Sequence, residues 1–131
     1  MSEKTENEYV TDHFKWSEFD CSDGTQVPKK YRDNVEEVAK NLEVLREFLG
    51  GYPLTLNSAY RTPSYNKKIG GASRSQHLTA KAADVVSAQH TPNKIANTIE
   101  YLIKKGRMTQ GGLGRYNTFT HYDIRGTKAR W

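Results

Sequence analysis

A single cysteine, Cys21, stands among 131 residues. It excludes an intramolecular disulfide and a cysteine-built zinc cage. It reads as a small buried apolar group, the usual role of a free cysteine. No apolar run approaches the roughly 18 residues that would read as a membrane span. The opening stretch from Met1 to Glu8 has neither a basic region nor an apolar one, so it does not read as a secretory signal. A dominant basic block is also missing. The lysine pairs Lys29-Lys30, Lys67-Lys68 and Lys104-Lys105 are scattered, and nothing matches a nucleic-acid recognition motif. There is no internal repeat and no low-complexity linker.

What is present suits one soluble domain with a modest core and much surface: 35% hydrophobic and 27% charged residues. The formal net charge of +5 favours an anionic partner such as a cell wall or a nucleic acid, although a plainly solvated basic surface fits equally well. Residues 1–9 are polar and expected to be disordered, leaving residues 10–131 as a single domain.

Periodicity gives the elements. From Pro28 to Leu49 the apolar positions are Tyr31, Val35, Val38, Leu42, Leu45 and Leu49, spaced 4, 3, 4, 3 and 4, with Gly50-Gly51 beyond them. That is one stripe of an amphipathic helix. A second helix begins at Thr91-Pro92, carries Ile95, Ile99, Leu102 and Ile103, and stops at Gly106. Phe14, Trp16 and Phe19 form an arm packed on the core. Strands are expected over Pro53–Tyr60, Lys81–Val86, Gly111–Tyr116 and Phe119–Arg125. Arg61–Asn66 reads as a Pro-initiated turn or short helix. The expected architecture is α+β: a small, mostly antiparallel sheet of about four strands with two main helices.

Two histidines and two carboxylates stand out, His77, Asp84, His121 and Asp123. They are the group set of a mononuclear zinc site. Three protein ligands leave an open position at a catalytic zinc, whereas four usually make a structural one. We take His77, Asp84 and His121 as the ligands, with Asp123 left over. On a strand, Asp123 shares a face with His121. It serves either as general base or as the partner that orients a ligand histidine. The spacing of His77 and Asp84 is not specific by itself. His13 and His90 have no comparable setting and read as non-ligands.

The words around these residues are more specific. Ser58-Ala-Tyr-Arg61-Thr-Pro-Ser-Tyr-Asn66, Gly70-Gly-Ala, Ser75-Gln-His77 with Asp84, Gly112-Leu-Gly114-Arg-Tyr116 and Phe119-Thr-His121-Tyr-Asp123-Ile-Arg125-Gly126 occur in this order. Together they resemble the zinc D-Ala-D-Ala carboxypeptidase / L-alanyl-D-glutamate peptidase family. That group includes phage endolysins and murein endopeptidases and has a hedgehog-like fold. The ending Gly126-Thr-Lys-Ala-Arg-Trp131 resembles that of the murein endopeptidases.

The resemblance implies a zinc cofactor on His77, Asp84 and His121, and a peptidoglycan stem peptide as substrate. It implies that Arg61 holds a substrate carboxylate or a developing oxyanion, and that Ser75 binds the same end of the substrate. It also implies a monomer acting on the cell wall, with no nucleic-acid or membrane partner. The lack of a leader fits release during phage-type lysis, with a non-classical export route or a substrate inside the cell as the alternatives. Two positions depart from the family pattern. Ala80 replaces a glycine of the histidine motif. Thr118 stands three residues before the last ligand, where many members carry a Glu or His as general base. Either Asp123 or another group takes that role, or the chain is a zinc-containing peptidoglycan-binding module without catalysis.

Overall fold

The computed structural model describes residues 8–131. Two short strands, β1 (Tyr9–Thr11) and β2 (Phe14–Lys15), pair antiparallel at the start. Tyr9, within the stretch expected to be disordered, therefore already belongs to a strand, while the expectation for residues 1–7 lies outside the described residues. A 3-10 turn, Trp16–Phe19, completes the arm and buries Phe19 edge-on to Phe14, with ring centroids 6.4 Å apart. Cys21 is buried in the same core.

The long amphipathic stripe becomes α1 (Arg32–Phe48), entered through a 3-10 turn at Lys29–Tyr31. Val35, Val38, Leu42 and Leu45 on that stripe are all fully buried. Gly50 and Gly51 follow with φ of 105° and 83°, the left-handed backbone that stops a helix and that glycine enters without strain. After β3 (Thr55–Ser58), Arg61–Asn66 resolves into a true short helix, α2 (Pro63–Lys68), capped by the Thr62 hydroxyl. β4 (Ala82–Val86) leads to α3 (Pro92–Lys104). Thr91 Oγ1 accepts from Lys94 N at 3.1 Å, and Pro92 is the first helical residue, as the Thr-Pro pair predicts. β5 (Gly112–Arg115), β6 (Thr120–Asp123) and β7 (Ala129–Arg130) finish the fold.

The α+β class is as expected, but the main sheet has five strands rather than four, in the order β3-β4-β6-β5-β7. The added strand is β7, two residues long, and it makes the sheet mixed because it runs parallel to β5. So short a strand shows no alternation in the sequence. Arg130 holds it in place: Nε donates to Glu100 Oε1 at 2.7 Å, and Nη1 donates to Gly111 O at 2.7 Å.

Register across the sheet sorts its residues into two faces. Ala83, Tyr122 and Leu113 lie opposite one another on β4, β6 and β5 and are all fully buried. With Ile95, Ile99 and Leu102 of α3 they belong to the single core. The next row is Ser58, Asp84, His121 and Gly114 on β3, β4, β6 and β5. That row carries the polar groups.

Gly111, just before β5, lies against β6 so closely that a Cβ would collide with the backbone carbonyl of Asp123. Neither backbone can swing aside. Gly111→Ala is therefore expected to lower stability by about 2 kcal/mol or more, as overpacking does, measured by urea denaturation. Alanine at the exposed end of α1, such as Glu47→Ala, should change stability by less than about 0.5 kcal/mol.

Candidate metal centre

Antiparallel pairing sets Asp84 directly opposite His121, so their side chains stand side by side on one face of the sheet. His77 arrives from a 3-10 turn, Gln76–Thr79, that packs against β4. Sequence patterning predicts no element between Asn66 and Lys81, where this turn lies. Ser75 caps it: its Oγ accepts from His77 N at 3.1 Å. The Arg61 backbone N–H donates to His77 O at 3.0 Å and ties the turn to the end of β3. The turn closes on Ala80 at φ 60° and ψ 31°, a left-handed conformation. That geometry accounts for the glycine the family pattern has at this position.

The result is a cluster of three side chains. One ligand-capable atom from each of His77, Asp84 and His121 lies within 4.8 Å of the others. Their relative exposures are 2%, 5% and 7%. The far nitrogen of each ring is already committed. His77 Nδ1 donates to the Ala59 carbonyl at 2.6 Å, since a carbonyl can only accept. His121 Nε2 bonds Asp123 Oδ2 at 2.7 Å. In the neutral tautomers these bonds select, His77 Nε2 and His121 Nδ1 carry lone pairs. Both face Asp84 Oδ1, at 3.3 and 3.1 Å. Three lone-pair donors converging in a buried place suit a cation, and two imidazoles with one carboxylate suit zinc.

Electrostatics agree. Burial by itself would raise the Asp84 pKa, but in the metal-free site protonated His121 and His77 rings donate hydrogen bonds to it, which outweigh burial and hold it at about 2. Burial would lower the His121 pKa, yet its bonds to Asp123 and Asp84 carry it upward. A proton and a metal ion compete for that ring.

Asp123 is wholly buried. Its Oδ1 accepts from Gly112 N at 2.8 Å and Arg125 Nε at 2.9 Å, and its Oδ2 takes Arg125 Nη2 at 2.8 Å beside His121. Burial opposes ionisation, but bonds from His121, Arg125 and Gly112 overcome it and push its pKa well below the usual carboxylate range. Its Oδ2 thus stands behind the His121 ring, on the nitrogen away from Asp84. An acid so weakly basic, with its lone pairs occupied, makes a poor proton acceptor. Thr118, where a base is common in the family, is exposed in the bend before β6.

The cluster sits in a cleft of about 520 Å³. Arg61 and Ser75, singled out from sequence, both line it. Arg61 is braced by Ser58 Oγ at 3.1 Å, Asn66 Oδ1 at 3.2 Å and Asp84 Oδ2 at 3.5 Å. Asn66 has no assigned part in the sequence reading, although it closes the Ser-x-Tyr-Arg word. It is buried, and its own amide donates to Ala72 O at 2.9 Å. Arg125 and Trp131 are further cleft residues that spacing does not reveal. A groove of about 590 Å³ opens elsewhere, beside Trp16, Gln26 and Arg32. No cluster of metal-capable side chains was found there among the described residues.

Two outcomes follow from this geometry. Asp84, with a folded pKa near 2 against an ordinary value of about 3.9, stabilises the fold above pH 4 and loses that contribution as pH falls towards 2. His121, with a raised pKa, stabilises the metal-free fold below its ordinary value of about 6.5 and loses that contribution as pH rises through its folded value. The site's contribution to metal-free stability is therefore expected to peak between about pH 4 and 6.5, checked by urea melts of wild type against His121→Ala across pH. Ala80→Gly should be neutral or stabilising by up to about 1 kcal/mol, since it removes left-handed strain at some entropic cost; thermal melts decide.

Comparison with known proteins agrees with this chemistry. Residues 9–123 match the family described as Peptidase M15. The zinc D-Ala-D-Ala carboxypeptidase of Streptomyces albus G is 33% identical over 66 residues, which are 50% of this chain and 26% of that protein. The chain thus aligns with about a quarter of that relative's length. With most of its residues matched, this chain belongs to the Peptidase M15 family.

Proposed function

We propose that this chain is a zinc-dependent peptidase that hydrolyses peptide bonds in peptidoglycan stem peptides or cross-links, as a D,D-carboxypeptidase or an endopeptidase. The observation that carries the reading is the convergence of His77, Asp84 and His121 at the foot of a cleft that Arg61 also lines. His77 Nε2, Asp84 Oδ1 and His121 Nδ1 would hold the metal. When bound, zinc supplies Lewis acidity, polarising a carbonyl and lowering the pKa of water.

The protein's own groups bind and orient. Arg61 keeps N–H groups beyond those bonded to Ser58, Asn66 and Asp84, and its fork matches a substrate carboxylate. Ser75 accepts from His77 N and retains its hydroxyl hydrogen to donate to the same end of the substrate. Asp123 holds the His121 ring in one tautomer and orientation. Supporting the substrate class are the named activity of the Streptomyces relative and the family words of the sequence. The net charge of +5 favours approach to an anionic wall. Among the described residues no helix is long and apolar enough to cross a membrane.

One observation favours a second reading, a zinc-containing peptidoglycan-binding module without catalysis. Asp84 is the one carboxylate side chain among the residues lining the cleft, and Thr118 replaces the usual base. Incubation of zinc-loaded protein with purified peptidoglycan, followed by mass spectrometry, separates the two. The peptidase reading expects peptide fragments that His77→Ala does not release. Retention on sacculi with no fragments would establish the binding module instead.

Asp123→Asn tests the orienting role separately. Loss of the carboxylate behind His121 is expected to weaken zinc binding about 10- to 100-fold, read by competition with a chromogenic chelator. A variant that binds zinc like wild type yet has lost turnover would return Asp123 to the role of base.

A further inference from the structure

Trp131 is 48% exposed, yet its placement is closely determined. Its backbone N–H donates to Leu113 O at 3.2 Å, and its main-chain oxygen accepts from Arg115 N at 2.8 Å. Its indole Nε1 donates to Tyr116 Oη at 2.7 Å. The Arg125 guanidinium lies over the ring, 5.4 Å from its centroid. The ring itself leans on His121, with centroids 5.0 Å apart and planes at 46°. Gly114 makes room for it: a Cβ there would stand 2.6 Å from the indole nitrogen. Preceding it, Arg130 clasps Glu100 and Gly111 and so secures the strand that presents the indole.

A large apolar side chain held from several directions and still half exposed is an expensive arrangement for a core residue. It is the usual arrangement for a recognition residue, whose contact area is rigid before the ligand arrives. The exposed part adjoins the cleft. Tyr116 and Phe119, stacked with centroids 4.3 Å apart and planes at 12°, extend the same aromatic side. Arg61 and Arg74 also line the cleft and add cations to its lining, and Arg74 is exposed. The cleft is therefore lined by cationic groups for a carboxylate and by an aromatic wall for hydrocarbon.

The geometry points to Trp131 as a specificity-determining residue: its indole is the wall against which the hydrocarbon part of the substrate peptide packs while Arg61 holds the carboxylate. The class of ligand is a peptide with an uncharged, apolar residue beside the bond to be cut. This inference rests on the peptidase reading of the cleft. A purely structural role, shielding His121, makes a different prediction. It would show in metal affinity and turnover rather than in substrate binding.

The test uses the full chain loaded with zinc and the muropeptide that the wild type is found to cleave. Trp131→Ala is expected to raise KM by about tenfold, the loss of one aromatic packing contact, with kcat altered less and zinc content unchanged. Trp131→Phe, which keeps an aromatic ring, should recover most of the loss. Because the chain has two tryptophans, Trp16→Phe leaves Trp131 as the one tryptophan, excited apart from the tyrosines at the red edge of the absorption band. Its emission should then shift with muropeptide along the same saturation curve as turnover.

Trp131→Ala with wild-type KM overturns the inference and leaves the peptidase reading standing. So does a variant that loses zinc and kcat together at unchanged KM, since that is a brace for His121. An unmoved Trp131 emission at saturating muropeptide overturns it as well. Wild-type protein that neither cleaves nor binds any muropeptide removes both the inference and the function it rests on.

Discussion

Everything at the site depends on the register between β4 and β6. Asp84 faces His121 because Ala82 pairs with Asp123 and Ala83 with Tyr122 along the same ladder. A slip of β6 by one residue would turn His121 into the core and Tyr122 out to the cleft, away from an Asp84 left in place. The buried row of Ala83, Tyr122 and Leu113, packed with α3 in one core, forbids that slip. The apolar face of the sheet thus stabilises the polar one. The metal-capable groups need no interaction of their own to come together.

Around this ladder the polar groups are arranged in layers. The ring nitrogens away from the centre bond the Ala59 carbonyl and Asp123, and Asp123 is held in turn by Arg125 and Gly112. Such outer partners set the tautomer and the direction of the inner lone pairs. Glycine recurs here for steric reasons. At Gly112 a Cβ would meet the Asp123 carboxylate, and at Gly114 it would meet the indole of Trp131. The Gly-Leu-Gly word is a strand cleared for side chains arriving from elsewhere.

Much of this was legible in the chain. The 4-3-4-3-4 stripe of α1 and the Thr-Pro start of α3 are local signals, and both elements form where those signals lie. The family words located Arg61, Ser75, His77, Asp84 and His121, all of which line one cleft. The 3-10 turn bearing His77 and the two-residue β7 were not legible. Each is too short to show periodicity, and each is held by distant partners: Arg61 N for the turn, Glu100 and Gly111 for β7. For Asp123 the sequence left two roles open. Only the folded chain shows its neighbours, Arg125 and the Gly112 amide, and that they occupy its oxygens.

By itself, then, the sequence determined which residues are chemically capable and which elements carry them, because ligand type and helical or strand period are local properties. The tertiary structure decided orientation: which nitrogen of each histidine faces Asp84, which carboxylate is already occupied, and that Trp131 comes to lie against His121. Those outcomes depend on groups far apart along the chain. Their distances are set by the pairing of strands and the packing of one core, which no short stretch of residues contains.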